Sequence, residues 1–266
     1  MSQVGFVGAG RMGAPMVRRL VEAGHEVRAL GRSVEKRRAV SELGAQPVTD
    51  LADVGADADV VIVCVFTDEQ VHQVCVESVL LSTMRSGAVL VIHTTGSPRS
   101  AQSIAAEAAS HGIDVIDAPV SGGPHDIAAG HVTLFVGGSD EAVERARPVL
   151  ATYGDPILHV GPLGAGQAVK LVNNTLFAAQ IGLLHEAVRL GDRLGVDEKR
   201  LLDAIEHGSA ASRVASIVGA RGSVDAFVDM VGEFVSKDIG VVRKTAAELG
   251  SELGLLDDAI NAAFPG

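Results

Sequence analysis

The chain is short of the residues on which several common kinds of site depend. Its 266 residues include no tryptophan, one tyrosine and seven phenylalanines, so aromatic side chains make up 3%. Base-stacking readers of RNA and ring-stacking carbohydrate platforms need such side chains, and both are disfavoured. The only cysteines, Cys64 and Cys75, form no CxxC pair, and no Cys/His cluster has zinc spacing, so no metal is expected. Cys64 sits in the apolar run Val60–Val65 and reads as a small core residue. Positive charge is scarce as well. Lys and Arg number 22 against 33 Asp and Glu, a net charge of −11, so neither nucleic acid nor an anionic membrane is an expected partner. No apolar run reaches the roughly 18 residues of a membrane span. The first residues read as a short apolar strand running into Gly8 rather than as a signal peptide. A cytoplasmic protein is expected.

Glycine and aliphatic residues are plentiful, with 31 glycines and 47% hydrophobic residues. In the first part of the chain, apolar runs alternate with helical patterns. Gln3–Val7, Glu26–Leu30, Val60–Val65, Ala88–Ile92, Asp114–Asp117, Val132–Val136 and Ile157–Val160 read as strands. Several are apolar at consecutive positions, as parallel strands covered on both faces require. Helical patterns lie between them at Met12–Ala23, Val34–Leu43, Glu69–Leu81 and Arg99–His111. This alternation predicts an α/β fold with a doubly wound, Rossmann-type sheet. After the glycine-rich stretch Gly161–Gly166 the strand signal ends, and helices are expected at Gln167–Leu194, Glu198–Glu206, Val224–Met230, Lys237–Leu249 and Leu255–Ala263. The expected organisation is a dinucleotide-binding domain over residues 1–161 and an all-helical dimerisation and substrate domain over 162–266.

Gly8-Ala9-Gly10-Arg11-Met12-Gly13 fits GxGxxG between a predicted strand and a predicted helix. That pattern by itself is weak; its strand–turn–helix context is what marks a dinucleotide site. Gly8 permits the tight turn, Gly10 lets backbone approach a pyrophosphate, and Gly13 allows close helix–strand packing. Arg11 and Met12 complete the turn. Where an NAD site places an acid, about 20 residues after the first glycine, this chain reads Arg28-Ala29-Leu30-Gly31-Arg32-Ser33. Arg32 and Ser33 suit a 2′-phosphate, and Lys36, Arg37 and Arg38 add local positive charge. NADP is therefore favoured, with NAD as the alternative.

With these features the sequence resembles the β-hydroxyacid dehydrogenase family, which includes 3-hydroxyisobutyrate dehydrogenases. Four ordered motifs carry the resemblance across nearly the whole chain. They are Gly8–Met16 with its Met-Gly-x-Pro-Met continuation, Asp117-Ala118-Pro119-Val120-Ser121-Gly122-Gly123, Gly161–Asn174, and Lys237-Asp238 preceded by Phe234. The resemblance implies Lys170 as the catalytic acid/base with Asn174 as its helper, and Ser121, Gly122 and Gly123 as holders of a substrate carboxylate. It places Thr95 beside the nicotinamide, Phe66 and Thr67 along the cofactor, and Lys237 closing over cofactor or substrate. The chain departs from the family at Pro124-His125-Asp126-Ile127, where a small Gly-Ala pair is usual.

The residues themselves support part of this. Lys170 and Asn174 are four apart and share a helix face. Lys170 lies between Val169 and Leu171, where partial burial would lower its pKa and make it a usable proton carrier. Asn174 offers a donor and an acceptor and does not titrate. Ser121-Gly122-Gly123 follows a strand end, where ligands of doubly wound sheets collect. Histidines 93 and 125 read as polar loop residues outside the catalytic set. The expected reaction is hydride transfer between a small β-hydroxy acid and its semialdehyde. The rivals are an imine reductase, which usually lacks this lysine, and a non-catalytic NADPH-binding regulatory protein. A 6-phosphogluconate dehydrogenase would need a longer helical domain. The apolar surplus of Gln167–Leu194 predicts a homodimer.

Overall fold

The computed structural model describes residues 1–265. They form two compact units, one of Met1–Lys170 and one beginning at Leu171. The first unit holds nine strands: β1 (Gln3–Val7), β2 (Glu26–Leu30), β3 (Gln46–Val48), β4 (Val60–Val63), β5 (Val89–Ile92), β6 (Asp114–Asp117), β7 (Val120–Ser121), β8 (Val132–Gly137) and β9 (Gly154–Gly161). They lie in the order β3-β2-β1-β4-β5-β6-β8-β7, with β9 paired to β8. From β3 to β6 every pairing is parallel, which is the doubly wound arrangement. β8 then runs antiparallel to β6 and β7. The sheet is therefore the expected doubly wound one, mostly parallel, with antiparallel pairings only at β8.

The central strands are buried on both sides because their side chains alternate between two cores. In β4, Val60 and Ile62 join Phe6, Met16, Leu20 and Ile116. Val61 and Val63 turn the other way, to Leu80, Leu90 and Ile104. The helices that cover the sheet are α1 (Gly13–Glu22), α2 (Val34–Glu42), α3 (Leu51–Gly55), α4 (Asp68–Cys75), α5 (Leu80–Thr83), α6 (Pro98–Ala109), α7 (Pro124–Ala129) and α8 (Asp140–Leu150). The single helix expected over 69–81 is divided into α4 and α5. Neither α3, α7 nor α8 is expected from apolar periodicity. α8 does carry a start signal, since Ser139 accepts a hydrogen bond from the Ala142 N–H, but Pro148 inside it masks the pattern.

Helix α9 (Ala165–Arg193) begins in the first unit and continues into the second. The second unit adds α10 (Glu198–Glu206), α11 (Arg213–Gly219), α12 (Val224–Glu248) and α13 (Leu255–Asn261), with no strand among its described residues. Its core joins Ile181, Leu202, Val218, Phe227, Ile239 and Ile260. Helices expected at 224–230 and 237–249 are one continuous helix. Gly232 costs that helix only about 1 kcal/mol. Val228, Val231 and Val235 pack on the core across the expected gap and offset it.

Candidate active site

At the end of β1 the chain turns at Gly8 with φ +100°, a conformation that favours glycine. A Cβ on Gly8 would lie 2.2 Å from the Cys64 carbonyl oxygen, and one on Gly13 would lie 2.2 Å from the Gly8 carbonyl oxygen. A Cβ on Gly10 would meet nothing within 4 Å. The outer glycines therefore close the turn, and the middle one leaves its backbone open to the outside. Helix α1 starts on Met12 with no side-chain cap, so its first N–H groups are not taken up by a capping side chain. An open cradle facing an uncapped helix start fits a pyrophosphate. Arg11 is exposed and Met12 half-buried beside it.

Past β2, Arg32 is exposed, and the Ser33 side chain caps α2 by accepting the Lys36 N–H at 3.1 Å. Arg37 reaches back to the Gly31 carbonyl at 3.3 Å, and Arg38 pairs with Glu42 on the helix surface. Beyond β4, Phe66 is exposed and Thr67 caps α4 in a reciprocal pair with Gln70. Cys64 lies just past β4 and is half-buried against the core.

The ends of β5 and β6 are bound to the start of α9. Asp117, fully buried, accepts the Gly164 N–H on one oxygen and the Gln167 N–H on the other, each at 2.6 Å. Burial pushes its carboxyl above the usual range, and the N–H groups of Gly164, Gln167 and Gly166 pull the other way. The Gln167 side chain accepts from the Gly96 N–H at 3.0 Å and donates to the Thr94 carbonyl at 2.8 Å. Those two groups flank Thr95, which is buried. Lys170, three residues after Gln167, is 9% exposed. Ala168 and Val169 between them are exposed, so Gln167 and Lys170 share the inward face of α9. Asp117 and Gln167 stand inside motifs quoted from the sequence, yet their clasp joins segments about 50 to 70 residues apart and no local pattern announces it.

Ser121 closes β7, opposite Thr133. Gly122 has φ +136°, and the Gly123 N–H donates to Asp126 at 2.6 Å at the start of α7. One of the three groups expected to hold a carboxylate is thus already engaged by a carboxylate of the chain. That contact arises from the Pro124–Ile127 departure. His125 is exposed, 3.4 Å from the same Asp126.

In the second unit Asn174 donates to Asp238, and Lys237 pairs with the other oxygen of Asp238 at 2.7 Å. Asn173 donates to the Asn174 side-chain oxygen at 3.1 Å. Two motifs 64 residues apart are therefore joined through one carboxylate, that of Asp238, which stands in the quoted Lys237-Asp238 motif without a role assigned to it there. Among the described residues no cluster of His, Cys, Asp or Glu could hold a metal ion, and no helix is long and apolar enough to cross a membrane.

A glycine turn with an open centre, at the end of the first strand of a doubly wound sheet that a helical unit follows, is the arrangement of a dinucleotide-binding protein. Residues 3–161 match the family model for the NAD-binding domain of 6-phosphogluconate dehydrogenase, and residues 164–262 match that for the NAD-binding region of NADP-dependent 3-hydroxyisobutyrate dehydrogenase. The NAD-dependent L-serine dehydrogenase of Pseudomonas aeruginosa is 33% identical over 92% of this chain and 86% of its own length. The solved 3-hydroxyisobutyrate dehydrogenase of Mycobacterium tuberculosis, with L-serine, superposes with a TM-score of 0.89 at 31% identity, covering 98% of this chain and 92% of that one. An imine reductase from Myxococcus stipitatus shares the fold, with a TM-score of 0.66 at 21% identity over 98% of this chain and 92% of that one. The chain belongs to the β-hydroxyacid dehydrogenase family and is an NAD(P)-dependent dehydrogenase.

Proposed function

We propose that this protein oxidises a small β-hydroxy acid, or reduces the matching semialdehyde, with NADP as its preferred cofactor. The observation that carries the reading is the placement of Lys170. It is a nearly buried lysine on the inward face of α9, one turn past the glutamine that grips the backbone on either side of Thr95. When bound, the nicotinamide would supply the hydride chemistry. Lys170 would give a proton to the substrate oxygen in reduction and take it in oxidation. Asn174, on the same helix face, would orient that oxygen, and its own amide is braced by Asp238. Ser121, Gly122 and Gly123 would hold the acid group, and Thr95 would lie along the nicotinamide. Phe66, Thr67 and the Gly8–Gly13 turn would line the cofactor, and Lys237 would neutralise anionic charge on cofactor or substrate. Arg32 and Ser33 favour the 2′-phosphate of NADP, because no acid stands there to bind a free ribose hydroxyl.

The domain boundary proposed is the glycine-rich stretch at 161–162, and the compartment proposed is the cytoplasm. A homodimer is proposed through the second unit, because α9 exposes Val172, Leu176, Leu183 and Leu190 at spacings of four and seven along one side. An imine reductase would not need a lysine at 170.

The test is a panel of 3-hydroxyisobutyrate, 3-hydroxypropionate, glycerate and L-serine with NADP⁺ and NAD⁺ in parallel. Turnover of at least one acid, faster with NADP⁺, is expected. Lys170→Ala should then lose about 10²–10⁴-fold in kcat while cofactor affinity, read by fluorescence titration, stays within about threefold. Unchanged kcat in that variant would remove Lys170 from the chemistry.

A further inference from the structure

We propose that Gln167 is a positioning residue: its side-chain amide holds Lys170 against the strand end that carries Thr95, with Asp117 as the anchor beneath it. The inference rests on the reading of Lys170 as the proton carrier.

Gln167 is 1% exposed, and both ends of its amide are used on one stretch of backbone. The oxygen accepts the Gly96 N–H, and the nitrogen donates to the Thr94 carbonyl. An amide presents an acceptor and a donor in one plane. A carboxylate would set an oxygen against the Thr94 carbonyl, and an aliphatic side chain would leave two buried backbone groups unpaired. On its other side the gripped backbone is held by Asp68. A Cβ on Gly96 would lie 2.2 Å from an Asp68 carboxylate oxygen, and that carboxylate also accepts the Ser97 N–H at 3.2 Å and the Ser100 hydroxyl at 2.6 Å. At the helix end, both oxygens of Asp117 hold the first turn through the Gly164 and Gln167 N–H groups.

The first turn of α9 is thereby fastened to β5 and to β6, and Lys170 follows it by three residues. A rotation of about 10° about the helix axis moves a side-chain end some 8 Å from the axis by about 1.4 Å. Misplacement of that order costs about a hundredfold in rate. The α-helical hydrogen bonds alone do not prevent it, because a rigid helix can turn as a body. The clasp prevents it.

Two variants of the full chain, Gln167→Met and Gln167→Glu, test the inference with the best-used acid of the panel above. Gln167→Met matches the length without the amide. It should lower kcat by about 30- to 100-fold and displace the pH profile of kcat, with KM for NADP⁺ within about threefold. Gln167→Glu should be equally slow at alkaline pH and should recover towards the parent rate as the pH falls, because a protonated Glu regains a donor for the Thr94 carbonyl. If both variants keep the parent kcat and pH profile and lose only thermal stability, Gln167 has a packing role and the inference is overturned. If Gln167→Met does not fold, Gln167→Glu alone decides: no acid recovery relative to the parent overturns the inference. If the parent turns over no acid of the panel, the dehydrogenase reading fails first and takes this inference with it. Turnover by the parent with unaffected variants sinks the inference alone.

Discussion

Three glycines in one motif do different work, and only space around each distinguishes them. Gly8 and Gly13 face carbonyl oxygens at 2.2 Å from where a Cβ would lie, whereas Gly10 faces nothing. Gly8→Ala should therefore destabilise the fold, by strain at positive φ and by collision with the Cys64 carbonyl. Gly10→Ala should keep its melting temperature within about 2 °C, since nothing in the fold is displaced, but should weaken NADP⁺ binding about tenfold or more. Thermal melts paired with fluorescence titration separate the two, and an unaffected affinity in Gly10→Ala would place the pyrophosphate elsewhere. Ser33 also answers to two demands. It caps α2 and is proposed to meet the 2′-phosphate. Ser33→Ala should cost about 1 kcal/mol through the lost cap, measured by urea unfolding. Arg32→Ala, exposed and outside the helix, should leave stability unchanged and raise KM for NADP⁺ more than KM for NAD⁺. Equal changes for both cofactors would remove Arg32 from the 2′-phosphate site.

Between strands and helices, the joints are made by buried polar groups. His93, just past β5, is buried, with Nδ1 2.5 Å from the Ala118 carbonyl and Nε2 2.8 Å from the Tyr153 hydroxyl. The carbonyl can only accept, so Nδ1 carries the proton and Nε2 accepts from the tyrosine. The two rings meet edge-on at 5.7 Å. Burial lowers the imidazole pKa from 6.5 to about 4. Between those values the unfolded chain holds a proton that the folded chain does not, so this ring's contribution to stability is full above about pH 6.5 and is lost as the pH drops towards 4, by about 3 kcal/mol in all. His93→Gln should be less stable at pH 7.5 but should show a flatter loss between pH 6.5 and 4. Identical slopes in urea titrations of the two proteins would show that this ring does not titrate in that window. Burial likewise pushes the Cys75 thiol up to about 12, which leaves it protonated and inert at neutral pH. His93 does lie past the end of its strand, as a polar loop residue would; what the local sequence does not show is its burial and its partners, Ala118 and Tyr153, 25 and 60 residues away.

For the molecule as a whole, the exposed leucines of α9 are the surface that the proposed homodimer would cover. Leu183 is 60% exposed and Leu190 52% exposed on the same side of the helix. Water is a poor neighbour for such a stripe. Light scattering at micromolar concentration should give a dimer mass, and Leu183→Lys with Leu190→Lys should shift it towards a monomer without unfolding the chain. A monomeric parent protein would refute the dimer.

Local sequence determined whatever depends on near neighbours: the strands buried on two faces, the glycine turn, the change from α/β to all-helical after Gly161, and the spacing of Lys170 and Asn174 on one helix. Periodicity and backbone stereochemistry act within a few residues, so they can be read in order along the chain. Tertiary structure alone decided that Asp117 caps α9, that Gln167 grips both sides of Thr95, and that Asp238 joins Asn174 to Lys237. It also decided that residues 224–248 run as one helix across Gly232. Most of these are hydrogen bonds between groups tens of residues apart, and the last is core packing that outweighs a local preference. Such interactions acquire their energy only when folding brings the partners together and removes the water that would otherwise serve them.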